Sequence, residues 1–259
     1  MHEDMIVGAQ EFVTMVDLPE PPPLSARAAK DIFDYDSAKQ QALVVGSDVI
    51  AFVKGITPEQ RTDLVNASLL AQLAAKKKVA NPKTLKAVEQ WYNEYFDALS
   101  RIGFLIHDKG LAKYEEASES FEAHEAILDV ATTLLAGIPG ALALVTTTLK
   151  SLQKMSANSP WITLFNRESR SANTARFQMS LVSEDGQGGL LVSLIAFGME
   201  AKTTLTQVLF LKFHTNEVKL HHHSGQVTIN APLLAAVREQ IADKLAAYVS
   251  DYIKGLPDL

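Results

Sequence analysis

The chain has no cysteine. This excludes disulfides, cysteine-ligated zinc, thiol nucleophiles and S-acylation. Basic residues are also in the minority, because 24 Lys and Arg stand against 30 Asp and Glu, for a formal net charge of −6. Nucleic-acid binders usually present a basic face, so we expect no nucleic-acid partner.

A basic start, which a secretory signal needs before its apolar run, is missing as well. The first four residues are Met-His-Glu-Asp, an acidic segment. We therefore expect a protein that is cytoplasmic in the producing cell, or one that is exported by a route without a cleaved signal peptide.

Motifs for catalysis or cofactor binding are absent too. The glycine-rich segment 186–189 lies between two predicted strands, whereas a phosphate or dinucleotide loop precedes a helix. No Gly-x-Ser-x-Gly elbow occurs, and Glu122-Ala123-His124-Glu125 lacks the second histidine of a zinc-protease motif. We predict no catalytic residue and no cofactor, and the sequence favours a protein that is not an enzyme.

Three consecutive histidines, 221–223, are the strongest metal-binding pattern in the chain. In a strand, His221 and His223 point to the same face and could share one ion, which His214 could join across a turn. No Asp, Glu or Cys nearby completes the ligand set, so no metal site is predicted. A metal-dependent protein and a cluster that responds to pH near 6 remain alternatives.

Proline and helix-capping signals divide the first part of the chain. Three prolines at 21–23 predict an extended arm over residues 1–24. Residues 25–166 are expected to be helical, in about five to seven helices. These include helices over 26–41, 43–54 and 113–127, and a helix that starts at the capping box Thr57-Pro58-Glu59-Gln60. An aromatic stripe over 85–99 predicts a core helix.

The pattern changes after residue 166. Residues 167–259 predict a four- to five-stranded antiparallel meander with strands near 177–181, 190–199, 203–214, 218–223 and 226–229. A closing helix follows, and Leu234, Val237, Ile241, Leu245, Tyr248 and Tyr252 form its apolar stripe. The fold class is therefore α+β, with the sheet and the helices expected to pack as one compact unit.

The uncharged stretch Val130 to Leu149 is interrupted by Gly137-Ile138-Pro139-Gly140. This break predicts two short apolar helices joined by a tight turn, spanning 127–152, rather than one helix across a bilayer. Such a hairpin either packs permanently in the protein core or is an element that enters a lipid bilayer. The candidate membrane-interacting residues are Leu134, Leu135, Ile138, Pro139, Leu142 and Leu144.

An apolar hairpin within an otherwise polar helical protein resembles the α-helical pore-forming toxins. The mixed architecture is similar to small virulence proteins that bacteria use against insect guts. The resemblance implies a non-enzymatic, insecticidal toxin or virulence factor whose partner is a target-cell membrane or lipid, with homo-oligomer formation open. A mechanism of such proteins that depends on an acylated cysteine is excluded, because this chain has no cysteine. The alternative is a soluble interaction or assembly protein with the hairpin as core.

Overall fold

A computed structural model describes residues 2–23, 33–107, 110–114, 119–210 and 212–257. These residues form helices and a mixed β-sheet, so the predicted α+β class is confirmed. The helices are α1 (His2–Met15), α2 (Pro58–Lys78), α3 (Leu85–Arg101), α4 (Ala123–Leu134), α5 (Ala141–Lys154), α6 (Pro160–Ser169), α7 (Ala231–Leu245) and α8 (Val249–Tyr252).

Eleven strands are seen in the described ranges. They are β1 (Gln41–Val45), β2 (Asp48–Phe52), β3 (Phe104–Leu105), β4 (Ala112–Lys113), β5 (Ser120–Glu122), β6 (Arg170–Ser171), β7 (Thr174–Glu184), β8 (Leu190–Ala201), β9 (Lys212–His214), β10 (Val218–Ile229) and β11 (Ile253–Gly255).

The main sheet is mixed, not the antiparallel meander that the sequence predicted. Its strand order is β11-β1-β2-β7-β8-β10-β3, with β4 also on β10 and β6 also on β7, while β5 and β9 form a separate pair. Neighbours β7, β8 and β10 are antiparallel, as expected. However, the predicted helical region contributes the β1–β2 hairpin to the same sheet, and β2 runs parallel to β7.

Helices cover both faces of this sheet. Side chains of α1, α2, α3 and α7 form one core cluster with one face, and those of α4, α5 and α6 form a second cluster with the other. Sheet side chains alternate between the two clusters, as a strand period of two requires. Leu194 and Ala196 of β8 belong to the first cluster, and Ile195 and Phe197 to the second.

The N-terminal arm is not extended over residues 1–24. It is helical over His2–Met15, where Ala9 and Val13 are buried in the same cluster as α7 side chains. The prolines at 21–23 follow this helix in a segment, 16–23, that is neither helix nor strand. Residues 24–32, where most of the helix predicted over 26–41 would lie, are outside the described ranges, and residues 33–41 are not helical.

The apolar helix predicted over residues 43–54 is instead the β1–β2 hairpin. Both faces of both strands are buried, so the apolar pattern lacks the alternation that marks a strand. Gly46 makes the turn at φ 57°, and a Cβ there would lie 2.3 Å from Oε1 of Gln72. The turn therefore requires glycine for its conformation and for its close approach to α2.

The acidic helix predicted over 113–127 is shorter than expected. Only its end is helical, from Ala123 onward, and β4 and β5 occupy part of the remainder. Residues 115–118 are outside the described ranges.

The last third of the chain differs from expectation at three further places. The predicted strand 203–214 is reduced to β9, and β10 continues through Ser224-Gly225, where a turn was expected, in register with β8. The closing helix ends at Leu245, before α8 and β11, although every residue of its predicted apolar stripe is buried.

Candidate functional site

The uncharged stretch folds as a helical hairpin made of α4, a loop over 135–140, and α5; we call it the apolar hairpin. The backbone N–H of Glu122 donates to Oε2 of Glu125 at 2.7 Å at the start of α4. Gly140 begins α5 in the left-handed conformation at φ 74°, which other residues rarely adopt. The Gly-Ile-Pro-Gly break thus ends one helix and starts the next, as predicted.

The inner side of the apolar hairpin is core. Its side chains join Phe177, Met179 and Leu181 of β7 and Ile195 and Phe197 of β8 in one cluster. Burying a large apolar side chain contributes about 1.5–3 kcal/mol. The buried apolar residues of the hairpin are Ala123, Ala126, Ile127, Val130, Ala131, Leu135, Ala141, Leu144, Val145, Leu149 and Leu152.

The outer side of the apolar hairpin is uncharged between positions 130 and 149, and its exposed charged residues lie at the helix ends away from the loop; these are Glu125, Asp129, Lys150 and Lys154. It exposes Thr132, Thr133, Ala143 and Thr147, and no ionisable residue occurs between positions 130 and 149. The Thr132 hydroxyl donates to the Leu128 carbonyl at 2.8 Å, so part of its hydrogen-bonding capacity is met inside the helix. No charge would therefore have to be removed from water if the outer side of 130–149 met lipid.

The six candidate membrane residues occupy different depths. Leu135 and Leu144 are core residues, each 2% exposed. Leu134, Ile138 and Leu142 are half-buried, and Pro139 is exposed at the loop. The structure therefore gathers Leu134, Ile138, Pro139 and Leu142 around the loop end and places the other two against the sheet.

Few polar contacts hold the apolar hairpin to the body. Among the described residues, one hydrogen bond joins 130–149 to a residue outside the hairpin, from Nε2 of Gln226 to the Leu134 carbonyl at 3.5 Å. Nearer the start of α4, Tyr114 donates to Asp129 at 3.1 Å, and the backbone N–H of His124 donates to the Leu209 carbonyl at 3.1 Å. Apolar packing therefore supplies most of the attachment.

The helices on the opposite face are attached differently. Tyr92 of α3 donates to the Phe197 carbonyl of β8 at 2.9 Å, and Nε2 of Gln72 in α2 donates to the Val45 carbonyl at 2.8 Å. The polar positions of β7, Gln178 and Ser180, turn toward these helices and are buried. The α2–α3 side thus adds buried hydrogen bonds to its apolar packing, whereas the hairpin side relies mainly on apolar packing.

Asp48 is a buried acid that the sequence analysis missed. Its carboxylate accepts hydrogen bonds from the Ser68 and Ser180 hydroxyls at 3.0 Å. Burial raises the pKa of Asp48 to about 7, against the lowering effect of these two bonds. An acidic residue inside the apolar run 43–53 was the available signal.

A cavity of about 20 Å³ adjoins Asp48, Ser68 and Tyr95. That space suits about one water molecule, so it is too small for an organic substrate.

The histidine cluster is divided between the two faces of the sheet. His221 and His223 share the α3 side, as predicted: Nδ1 of His221 is 2.9 Å from Oε1 of Glu89, and the His223 ring lies 5.0 Å from that of Phe96. His222 points the other way, against Phe197, and burial lowers its pKa. His214 lies on β9 in the separate two-stranded sheet.

Two further features are absent from the described part of the chain. No group of three or more His, Cys, Asp or Glu side chains there is arranged to hold a metal ion. No helix there is both long enough and apolar enough to cross a bilayer.

Comparisons with known proteins show no family membership. No protein-family model and no curated protein matches the sequence. A solved structure of a delta-endotoxin is similar with a TM-score of 0.36 and 15% identity, covering 83% of this chain and 95% of that chain. The Evf virulence factor is similar with a TM-score of 0.32 and 15% identity, covering 84% of this chain and 85% of that chain. Neither similarity is close enough to transfer an activity or a residue role.

Proposed function

We propose that this chain is a non-enzymatic bacterial toxin or virulence factor that acts on target membranes through the apolar hairpin. The observation that carries the proposal is that, among the described residues, a single 3.5 Å hydrogen bond joins 130–149 to residues outside the hairpin, and that no charged residue occurs between these positions. If the apolar hairpin leaves the rest of the protein, it therefore loses mainly apolar contacts, and contacts with lipid can replace them.

The lengths of the two helices limit how deep the apolar hairpin reaches. With 12 and 14 residues, α4 and α5 are about 18 and about 21 Å long. The hydrocarbon core of a bilayer is about 30 Å thick. The apolar hairpin would thus enter loop first, with Ile138 and Pro139 deepest, and both helices would return to the same side.

A test must separate membrane entry from core packing. Leu135→Glu would place an unpaired charge in the core, so a loss of activity could reflect unfolding. Ala143→Glu and Thr147→Glu avoid this difficulty, because both positions are exposed in the folded chain. A carboxylate there is solvated in the fold but costs about 2.5–3.5 kcal/mol at the centre of a bilayer.

Dye release from liposomes is the measurement, and Thr203→Glu is the matched control, since Thr203 is exposed outside the apolar hairpin. We expect leakage with wild type and Thr203→Glu, and strongly reduced leakage with Ala143→Glu and Thr147→Glu at unchanged melting temperature. Equal leakage from all four proteins, or none from wild type, would contradict the proposal.

The alternative is an interaction or assembly protein in which the apolar hairpin is only core. The complete burial of Leu135 and Leu144 favours it. It predicts no liposome binding by any variant, together with strong destabilisation by Leu135→Glu.

A further inference from the structure

A pocket rich in arginine and lysine lies at the junction of α2, α6 and β7, away from the apolar hairpin. Its volume is about 320 Å³, and none of its lining residues belongs to α4 or α5. Four cationic side chains and one carboxylate line it; these are Lys76, Arg167, Arg170, Arg176 and Glu168.

The single carboxylate is already shared by two of the cations. Nζ of Lys76 lies 2.7 Å from Oε2 of Glu168, and Nε of Arg167 lies 2.8 Å from Oε1. Arg170 donates to the Leu205 carbonyl at 2.8 Å. Within the described residues, neither Arg170 nor Arg176 has an ion-pair partner, so the pocket carries excess positive charge.

Arg176 is the unusual member of this set. It is only 5% exposed, and its Nε has no hydrogen-bond partner among the described residues. Its guanidinium carbon lies 4.4 Å from the ring centroid of Trp91. Burial lowers the pKa of this guanidinium, although the Tyr92 and Glu168 side chains act in the opposite direction.

An unpaired buried guanidinium is costly, and an anion in the pocket would supply its missing partner. Phosphate oxygens suit it well, because a guanidinium donates two parallel hydrogen bonds to them. Asn81 and Ser171 line the same pocket and add neutral donors. We propose that this pocket binds a phosphomonoester group, carried by a small phosphorylated metabolite or by a phosphorylated lipid headgroup.

The proposal does not depend on the apolar hairpin, and it can be tested without a membrane. Isothermal titration calorimetry with inorganic phosphate and with glycerol 3-phosphate measures binding to the full chain. We expect saturable binding by wild type and by Thr147→Glu. This result would stand even if that variant caused no leakage, so the two proposals can fail separately.

Arg176→Met is the decisive variant. Methionine fills the space over Trp91 and removes a buried charge, so the melting temperature should be equal or higher. We expect binding of glycerol 3-phosphate to weaken by roughly tenfold or more, because a charge-assisted hydrogen bond is lost. Arg170→Gln, at an exposed position, is the second variant should Arg176→Met fail to fold. Lys219→Gln removes one exposed charge elsewhere and should bind normally.

Vesicles of phosphatidylcholine, with or without phosphatidic acid, separate the two sources of the phosphate. Tighter vesicle binding with phosphatidic acid, lost in Arg176→Met, identifies a lipid headgroup. Binding of glycerol 3-phosphate without any preference for phosphatidic acid identifies a free metabolite. If wild type binds neither, or if Arg176→Met binds as wild type does, the cations only neutralise the carbonyl ends of α2 and α6 and the proposal fails.

Discussion

The Ser180 hydroxyl donates to the Asp48 carboxylate at 3.0 Å across the parallel strand pair β2–β7. Asp48 and Ser180 lie two positions apart in this register, since Asp48 pairs with Gln178 and Ile50 with Ser180. The contact therefore joins the N-terminal β-hairpin to the central strands through a buried acid, at the only parallel pairing seen among the described strands.

The raised pKa of Asp48 makes the stability of the fold depend on pH. The folded chain keeps this proton up to a pH of about 7, whereas the unfolded chain releases it near 3.8. The folded state therefore binds more protons between these values, and the free energy of unfolding falls as pH rises through them. At about 1.4 kcal/mol per pH unit, the free energy of unfolding falls by about 4 kcal/mol in total. This decrease is complete once the pH exceeds the pKa of Asp48 in the folded state.

Asp48→Asn removes this titration while keeping the shape of the side chain. We expect the variant to match wild type near pH 4 and to exceed its stability increasingly toward pH 8, by about 4 kcal/mol. Urea denaturation across this pH range is the measurement. Parallel stability curves for the two proteins would show that Asp48 is ionised in the fold.

Arg61 of α2 holds the loop carbonyls around the β1–β2 hairpin. It is fully buried and donates to the carbonyls of Ile56 at 2.8 Å, Lys39 at 2.9 Å and Val53 at 3.0 Å. An ammonium cannot reproduce this fork, and each carbonyl left unpaired costs about 1–3 kcal/mol. We expect Arg61→Lys to lower the free energy of unfolding by more than about 2 kcal/mol.

Arg101→Lys is the control for this substitution, because Arg101 pairs with Asp97 at an exposed position of α3. Its effect should stay within about 1 kcal/mol in the same urea titration. Equal effects at the two arginines would show that the carbonyl contacts of Arg61 add nothing.

The two glycines of the hairpin loop should respond differently to alanine. Gly140 has φ 74°, where a Cβ is strained, while Gly137 has no positive φ; neither would place a Cβ within 4 Å of another group. We expect Gly140→Ala to cost about 1–2 kcal/mol and Gly137→Ala to be neutral or slightly stabilising. The difference in urea midpoint between the two variants is the measurement, and identical midpoints would contradict the assigned turn.

Caps, turns and breaks in the sequence predicted the boundaries of several helices and strands, because these boundaries depend on a few neighbouring residues. The Thr57 capping box starts α2, the 186–189 turn joins β7 to β8, and the Gly-Pro break divides α4 from α5. The β1–β2 hairpin was mistaken for a helix because burial on both faces removes the period of two. Its β-branched residues, Val44, Val45, Val49 and Ile50, were the overlooked strand signal.

The candidate site was located from the sequence, but its surroundings were not. A single sequence shows that residues 130–149 are uncharged; it does not show which sheet face they cover. Gln178 and Ser180 alternate with apolar residues along β7, and in the fold both bond to buried groups under α2 and α3. Which polar strand positions find buried partners depends on tertiary pairing, which periodicity does not encode.

The depth order proposed for the apolar hairpin gives one further prediction. Because the chain has no cysteine, a single introduced cysteine carries one environment-sensitive fluorophore at one known position. Ile138→Cys places it at the loop, Lys154→Cys at the end of α5, and Thr203→Cys outside the hairpin.

Addition of liposomes should shift the emission of the label at position 138 to the blue, because the loop enters hydrocarbon first. The label at 154 should shift less, since it lies at the far end of a helix about 21 Å long. The label at 203 should not respond. A uniform shift at all three positions would indicate adsorption of the whole protein instead, and an unchanged spectrum at 138 would leave the apolar hairpin in the core.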